Sequence, residues 1–132
     1  MSLTLGEIED VQIRNSPVFY DSRGKLSKLY VNGESGTFPF KFEVEEHFLT
    51  FSVKNCFRGM HFQGGVHASN KIISIVQCEV IDFLFDFRTE SNTFGVIQIV
   101  PLIEKNATSI FVPIGVAHGY LSLQENSIVS YK

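Results

Sequence analysis

The sequence predicts an all-β chain, on three observations. Apolar residues at sustained i, i+3, i+4 spacing are scarce throughout. Aromatic and β-branched side chains dominate, with 13 Phe and 4 Tyr. Turn-forming residues interrupt the apolar runs about every ten residues, the spacing of a sandwich or barrel.

Residues 8–14 form a first short strand, closed by the Asn15-Ser16-Pro17 turn. Asp21-Ser22-Arg23-Gly24 reverses the chain into a strand over 25–31, and the two glycines and proline of 32–39 make an exposed loop. A longer strand is expected over 40–53, with Phe42, Val44 and Glu46 on one side and Glu43, Glu45 and His47 on the other. Residues 58–63 follow as a short segment flanked by apolar residues, then the loop 64–70. Lys71 opens an apolar strand over 71–76.

The run 79–87 alternates: Ile81, Phe83, Phe85 and Phe87 share one face, Val80, Asp82, Leu84 and Asp86 the other. The all-apolar face is expected to be packed, and the face carrying Asp82 to line a wet cavity. After the polar loop 88–92 comes a strand over 93–102, whose Pro101 marks an end or an edge. Residues 109–112, the Pro113-Ile114-Gly115 turn and a last hairpin ending at Tyr131 complete the chain.

With 132 residues, 44% of them hydrophobic, the chain is expected to be one domain over 1–132 with a real core. A formal charge of -3 argues against a nucleic-acid binder. No apolar run nears the roughly 20 residues of a membrane helix, and the N-terminus lacks signal-peptide order, so the expectation is a cytoplasmic protein without membrane contact. Cys56 and Cys78 read as free thiols. Met1, Ser2 and Leu3 read as a remnant of expression.

Chemistry concentrates at Arg58-Gly59-Met60-His61-Phe62-Gln63. A histidine takes and returns a proton near neutrality, and the planar fork of Arg58 suits a phosphate or carboxylate. A strand with one satisfied histidine is the plain alternative. Arg23 reads equally as a solvated loop residue, Lys71 as a strand-end lysine reaching water, and Tyr131 as an ordinary strand aromatic. His61 and His67 are separated by five residues, with no His-x-His and no completing carboxylate, so no metal and no cofactor are expected.

Four pieces stand in a telling order: Asp21-Ser22-Arg23-Gly24, Arg58 to Gln63, Lys71 to Gly95 with Asp82 to Arg88 and Ser91 to Gly95 inside it, and Pro113 to Tyr120. Together the chain resembles the dTDP-4-dehydrorhamnose 3,5-epimerase family. The resemblance implies a cupin-type jelly roll, a homodimer, and metal-free epimerisation beside the keto group of a nucleotide-linked 4-keto-6-deoxyhexose. It implies His61 as general base, Tyr131 as acid on the opposite sugar face and Lys71 as stabiliser of the enolate. Arg58 and Arg23 would hold the nucleotide part, Arg23 from strands that reach into the partner subunit. Gln63, Asp82 and His118 would be polar pocket residues.

The sequence departs from the family pattern at Lys28, Glu46 and Phe48, and it ends one residue after Tyr131, short of the carboxylate that orients the family's catalytic histidine. Asp82 is the candidate substitute. A keto-sugar 3,4-isomerase and a non-catalytic sugar-nucleotide binder are the competing readings.

Overall fold

A computed structural model of the chain describes residues 3–33 and 35–132; Met1, Ser2 and Glu34, from the presumed terminal remnant and the 32–39 loop, lie outside it. The strands, in chain order, are β1 (Thr4–Leu5), β2 (Gln12–Asn15), β3 (Val18–Asp21), β4 (Gly24–Ser27), β5 (Phe48–Ser52) and β6 (Phe57–His61), followed by β7 (Lys71–Gln77), β8 (Glu79–Asp86), β9 (Val96–Ile103), β10 (Thr108–Val112), β11 (Val116–Ser122) and β12 (Ser127–Tyr131). Two five-stranded sheets, ordered β1-β9-β8-β11-β6 and β2-β10-β7-β12-β5, face each other as a jelly roll, and β3-β4 stands apart as a hairpin. The expected all-β class is what the chain adopts.

The core lies between the sheets, where Ile73, Ile75, Val80, Leu84, Leu102, Ile110, Val112, Tyr120 and Val129 are buried. At about 25 cal/mol per Å² of apolar surface removed from water, such side chains supply the main driving force for closing the two sheets. A second cluster, Phe38, Ile72 and Phe111 with Phe40 and Phe42 packed on it, covers one end.

That cluster explains where the expected 40–53 strand fails. Residues 40–47 carry no strand and only 48–52 pair, against β12. Phe40 and Phe42 both meet the Phe111 ring (centroids 4.7 and 6.5 Å), so their packing is satisfied without a ladder. The 32–39 loop is likewise not wholly exposed, since Phe38 is buried. Pro101 lies inside β9, on an edge: β1 covers only Val96 and Ile97, leaving no ladder bond for Pro101 to miss.

The run 79–87 keeps its alternation but inverts its expected environment. Val80, Asp82, Leu84 and Asp86 face inward and are buried, whereas Ile81, Phe83 and Phe85 are only partly covered and Phe87 is exposed. Burial of Asp86 is tolerated because cationic and polar side chains surround it, whereas burial of Asp82 pushes its carboxyl toward the protonated form. Asp86 accepts hydrogen bonds from Arg88, Ser91 and Thr93, and Asp82 faces His118. The aromatic face instead opens outward as a wholly apolar groove of about 460 Å³ lined by Phe57, Met60, Phe83, Phe85, Phe87, Ile97 and Leu121.

Cys56 and Cys78 are unpaired. Among the described residues no helix is long and apolar enough to cross a membrane.

Candidate active site

One end of the roll opens as a cleft of about 1410 Å³. Its geometry begins with two glycines. Between β6 and β11 the register runs His61↔His118 and then Arg58↔Tyr120, so β6 carries one extra residue. Gly59 sits at φ +133°, and a Cβ there would fall 2.6 Å from the Gly119 Cα; a Cβ on Gly119 would fall 2.8 Å from the Arg58 carbonyl oxygen. Only a pair of glycines allows this approach. The bulge brings the His61 and His118 rings to 6.1 Å.

Tyr131, at the end of β12, is buried and stacks on Phe48 with centroids 4.8 Å apart. Its ring lies 5.6 Å from His118, which is thus a near neighbour of both His61 and Tyr131. Lys71 opens β7 at the same mouth, where Ile72 and Lys132 exchange backbone hydrogen bonds of 2.9 Å. Arg58 is tethered by Ser52 Oγ at 2.7 Å and the Phe51 carbonyl at 3.1 Å. His61, Lys71, Tyr131, Arg58, Gln63 and His118 all line this one cleft.

Two expected site residues do not line it. Asp82 is fully buried behind His118, its Oδ2 3.5 Å from Nδ1, and neither carboxylate oxygen has a hydrogen-bond partner among the described residues. It therefore backs His118, and the expected place on a wet cavity gives way to full burial away from the cleft. Arg23 is on the exposed turn of the β3-β4 hairpin, paired with Asp21. Within this chain it is separate from the cleft.

The electrostatics follow from partial burial among cations. Burial lowers the His61 pKa, and the nearby His118, Lys71 and Arg58 push it the same way, so the imidazole is held neutral as a proton acceptor. Burial also lowers Lys71. Tyr131 is held well above the ordinary phenol value by burial and by the neighbouring Tyr120 and Asp82, with Arg58 and Thr50 opposing. A phenol so placed keeps its proton until something strongly basic takes it. Burial raises Asp82, against which His118 acts.

Sequence reasoning passed over Thr50, Ser52 and Tyr120. Thr50 and Ser52 reach the same interior from β5, a signal readable as a Thr-x-Ser alternation. No group of three His, Cys, Asp or Glu suited to a metal occurs among the described residues.

The family model described as dTDP-4-dehydrorhamnose 3,5-epimerase matches residues 6–132. The chain belongs to this family. The dTDP-4-dehydrorhamnose 3,5-epimerase of Salmonella typhimurium is 36% identical over 132 residues, covering 95% of this chain and 69% of that protein. The crystal structure of the family member from Elizabethkingia anophelis matches at 31% identity and TM-score 0.83, over 100% of this chain and 73% of the other. That of the Legionella pneumophila dTDP-6-deoxy-D-glucose-3,5-epimerase, in complex with dTDP-4-keto-L-rhamnose, matches at 26% identity and TM-score 0.85, over 99% of this chain and 70% of the other. The jelly roll is thus the family's cupin-type fold.

Proposed function

We propose that this member of the dTDP-4-dehydrorhamnose 3,5-epimerase family epimerises carbons beside the keto group of a dTDP-linked 4-keto-6-deoxyhexose. The observation that carries the reading is the convergence of His61, Lys71 and Tyr131 on one cleft, with the His118 ring close to both the first and last. Neutral His61 removes the proton next to the ketone, and the C–H electron pair moves onto the ketone oxygen. The Lys71 ammonium stabilises that oxyanion. Tyr131 returns a proton to the other face of the ring, re-forming the carbonyl with inverted configuration. General acid–base groups of this kind contribute typically ~10²–10⁴-fold each.

His118, Gln63 and Arg58 hold the sugar and diphosphate. Arg23 acts from the partner of a homodimer, a role its exposed hairpin supports, since Phe19, Tyr20 and Leu26 there are all exposed. The outward aromatic groove of β8 supports the same assembly. The chain works as one domain over residues 1–132, in the cytoplasm, without a metal or a cofactor.

One observation favours a second reading. Glu43, Glu45 and Glu46 line the same cleft as Arg58 and would repel a diphosphate, which suits a keto-sugar on another carrier.

The experiment is incubation with dTDP-4-keto-6-deoxyglucose in heavy water, followed by NMR. Solvent deuterium should enter beside the keto group and vanish in His61→Ala, while Tyr131→Phe should keep exchange and lose inversion. Absence of exchange with this substrate, and with the same sugar on other nucleotides, would overturn the assignment. The position of the carbonyl in the product separates epimerase from isomerase.

A further inference from the structure

Inside the roll, four side chains from both sheets form one continuous file. Arg58 Nε donates to Ser52 Oγ at 2.7 Å, Ser52 Oγ meets the Tyr120 hydroxyl at 2.8 Å, and that hydroxyl meets Thr50 Oγ1 at 2.6 Å. Thr50 and Ser52 are two apart on β5 and share a face, and Tyr120 crosses the core from β11 in the opposite sheet, fully buried. Thr50 pairs with Val129 and Phe48 with Tyr131, so Thr50 and Tyr131 are diagonal neighbours across the β5-β12 ladder, within reach of a long side chain.

The direction of this file follows from its first member. A guanidinium only donates, and each hydroxyl has a single proton to give. Ser52 accepts from Arg58, and its own proton has one acceptor within reach, the Tyr120 oxygen. If Tyr120 donated to Ser52 instead, the proton of this buried serine would have no acceptor among the described residues. Tyr120 therefore donates to Thr50, which leaves the Thr50 proton for a further acceptor, and its diagonal place on the ladder makes the Tyr131 hydroxyl the candidate. A positive charge at the head of such a chain polarises every bond in it in the same sense.

We propose that Tyr120 and Thr50 are positioning residues for the acid step: a hydroxyl file headed by Arg58 delivers a hydrogen bond to the Tyr131 oxygen and steadies the phenolate left when Tyr131 protonates the sugar. The inference rests on the reading of Tyr131 as the acid. In that step the Tyr131 O–H bond breaks, a C–H bond forms from the enolate pair, and the carbonyl re-forms. No proton moves along the file. Tyr131 recovers its proton from cleft water as His61 releases the one it took. Burial and the charges that Asp82 and an ionised Tyr120 would carry oppose a phenolate at this position, and Thr50 and Arg58 act against them; Tyr120 kept neutral as a donor adds no such charge and works only through Thr50.

The test compares wild type with Tyr120→Phe, which deletes only the central hydroxyl, and with Thr50→Ser and Thr50→Val, which keep and delete the last one. Product formation and deuterium entering recovered substrate are followed together. In Tyr120→Phe and Thr50→Val product formation should fall about tenfold with KM within about twofold, the effect of losing one hydrogen bond to a developing charge. Exchange through His61 should persist, so the ratio of exchange to product rises about tenfold, and Thr50→Ser should stay near wild type. Equal ratios in all four proteins would overturn the proposal.

A second readout needs no turnover. With ¹³Cζ-labelled tyrosine, the chain has four tyrosine signals, and Tyr131 is assigned by Tyr131→Phe. Its Cζ shift at neutral pH should move in Tyr120→Phe and in Thr50→Val. An unmoved signal refutes the file whether or not the wild type is active, while an inactive wild type with a moved signal refutes only the epimerase reading.

Discussion

Replacing Asp86 with asparagine should be among the most damaging single changes outside the cleft. The Asp86 side chain is fully buried and accepts five hydrogen bonds: from Arg88 Nε, Nη2 and backbone N–H at 2.9, 3.0 and 2.9 Å, and from the Ser91 and Thr93 hydroxyls at 2.8 and 2.6 Å. Asparagine offers one acceptor oxygen in place of two and turns its NH₂ toward donors. Arg88 keeps the Asp10 carboxylate at 2.9 Å and the Glu9 carbonyl at 2.7 Å, so the loss is partial. Breaking a buried ion pair from one side costs about 3–5 kcal/mol, and with those remaining partners the lower end, ~3 kcal/mol, is expected.

For a chain of this size that is a fall in Tm of about 10 °C, measured by urea and thermal unfolding at pH 7. The pH dependence carries a further check. Burial acts to raise the Asp86 pKa, but the bonds from Arg88, Thr93, the backbone and Ser91 outweigh it and hold the carboxyl well below the ordinary carboxylate range. A depressed carboxylate stabilises fully above its unfolded value of 3.8 and loses that contribution as pH falls through its folded value. The gap between wild type and Asp86→Asn should therefore be constant from pH 7 to 5 and shrink below pH 4. A gap under about 1 kcal/mol at pH 7, or one that does not narrow in acid, would refute the reasoning.

Three other outcomes are expected. The His61 imidazole should titrate below its ordinary 6.5 by NMR, and Arg58→Gln or His118→Gln should move the midpoint upward; because the pKa is depressed, His61 costs stability only as pH falls, and a midpoint at or above 6.5 would contradict the cleft's electrostatics. Gly59→Ala forces a Cβ to 2.6 Å from Gly119 Cα at φ +133°, so destabilisation of about 3 kcal/mol and loss of deuterium exchange are expected, and near-wild-type urea unfolding would count against the bulge. Phe85→Glu places a charge in the outward groove and should halve the sedimenting mass from twice the 14.9 kDa chain to one chain, whereas a wild type that sediments as a single chain would remove the dimer.

Much of this protein is legible in its residues. The all-β class follows from composition and turn spacing, because a chain rich in Phe, Val and Ile without helical periodicity can bury its apolar surface only as paired strands. The order of Arg58-Gly59-Met60-His61, Lys71, Pro113 to Tyr120 and Tyr131 names the family, since each motif is a local solution to one backbone or chemical demand. Gly59 and Gly119 are examples: each is glycine because the other strand's backbone occupies the place of its Cβ.

Tertiary structure alone decided which face of each strand is inside. Period two separates Phe83 and Phe85 from Asp82 and Asp86 but carries no information on which set finds partners. The partner of Asp82, His118, comes from β11, whereas Arg88, Ser91 and Thr93 lie two to seven residues after Asp86 in the loop that follows β8, and it is the closing of the sheets that turns this face inward. The same holds for residues 40–47, where packing on Phe111 replaced strand pairing. It holds again for the Arg58-Ser52-Tyr120-Thr50 file, whose members are ordinary until closure of the two sheets brings a β11 phenol between two β5 hydroxyls. Local sequence specifies which groups are available, and the long-range pairing of strands specifies which of them meet.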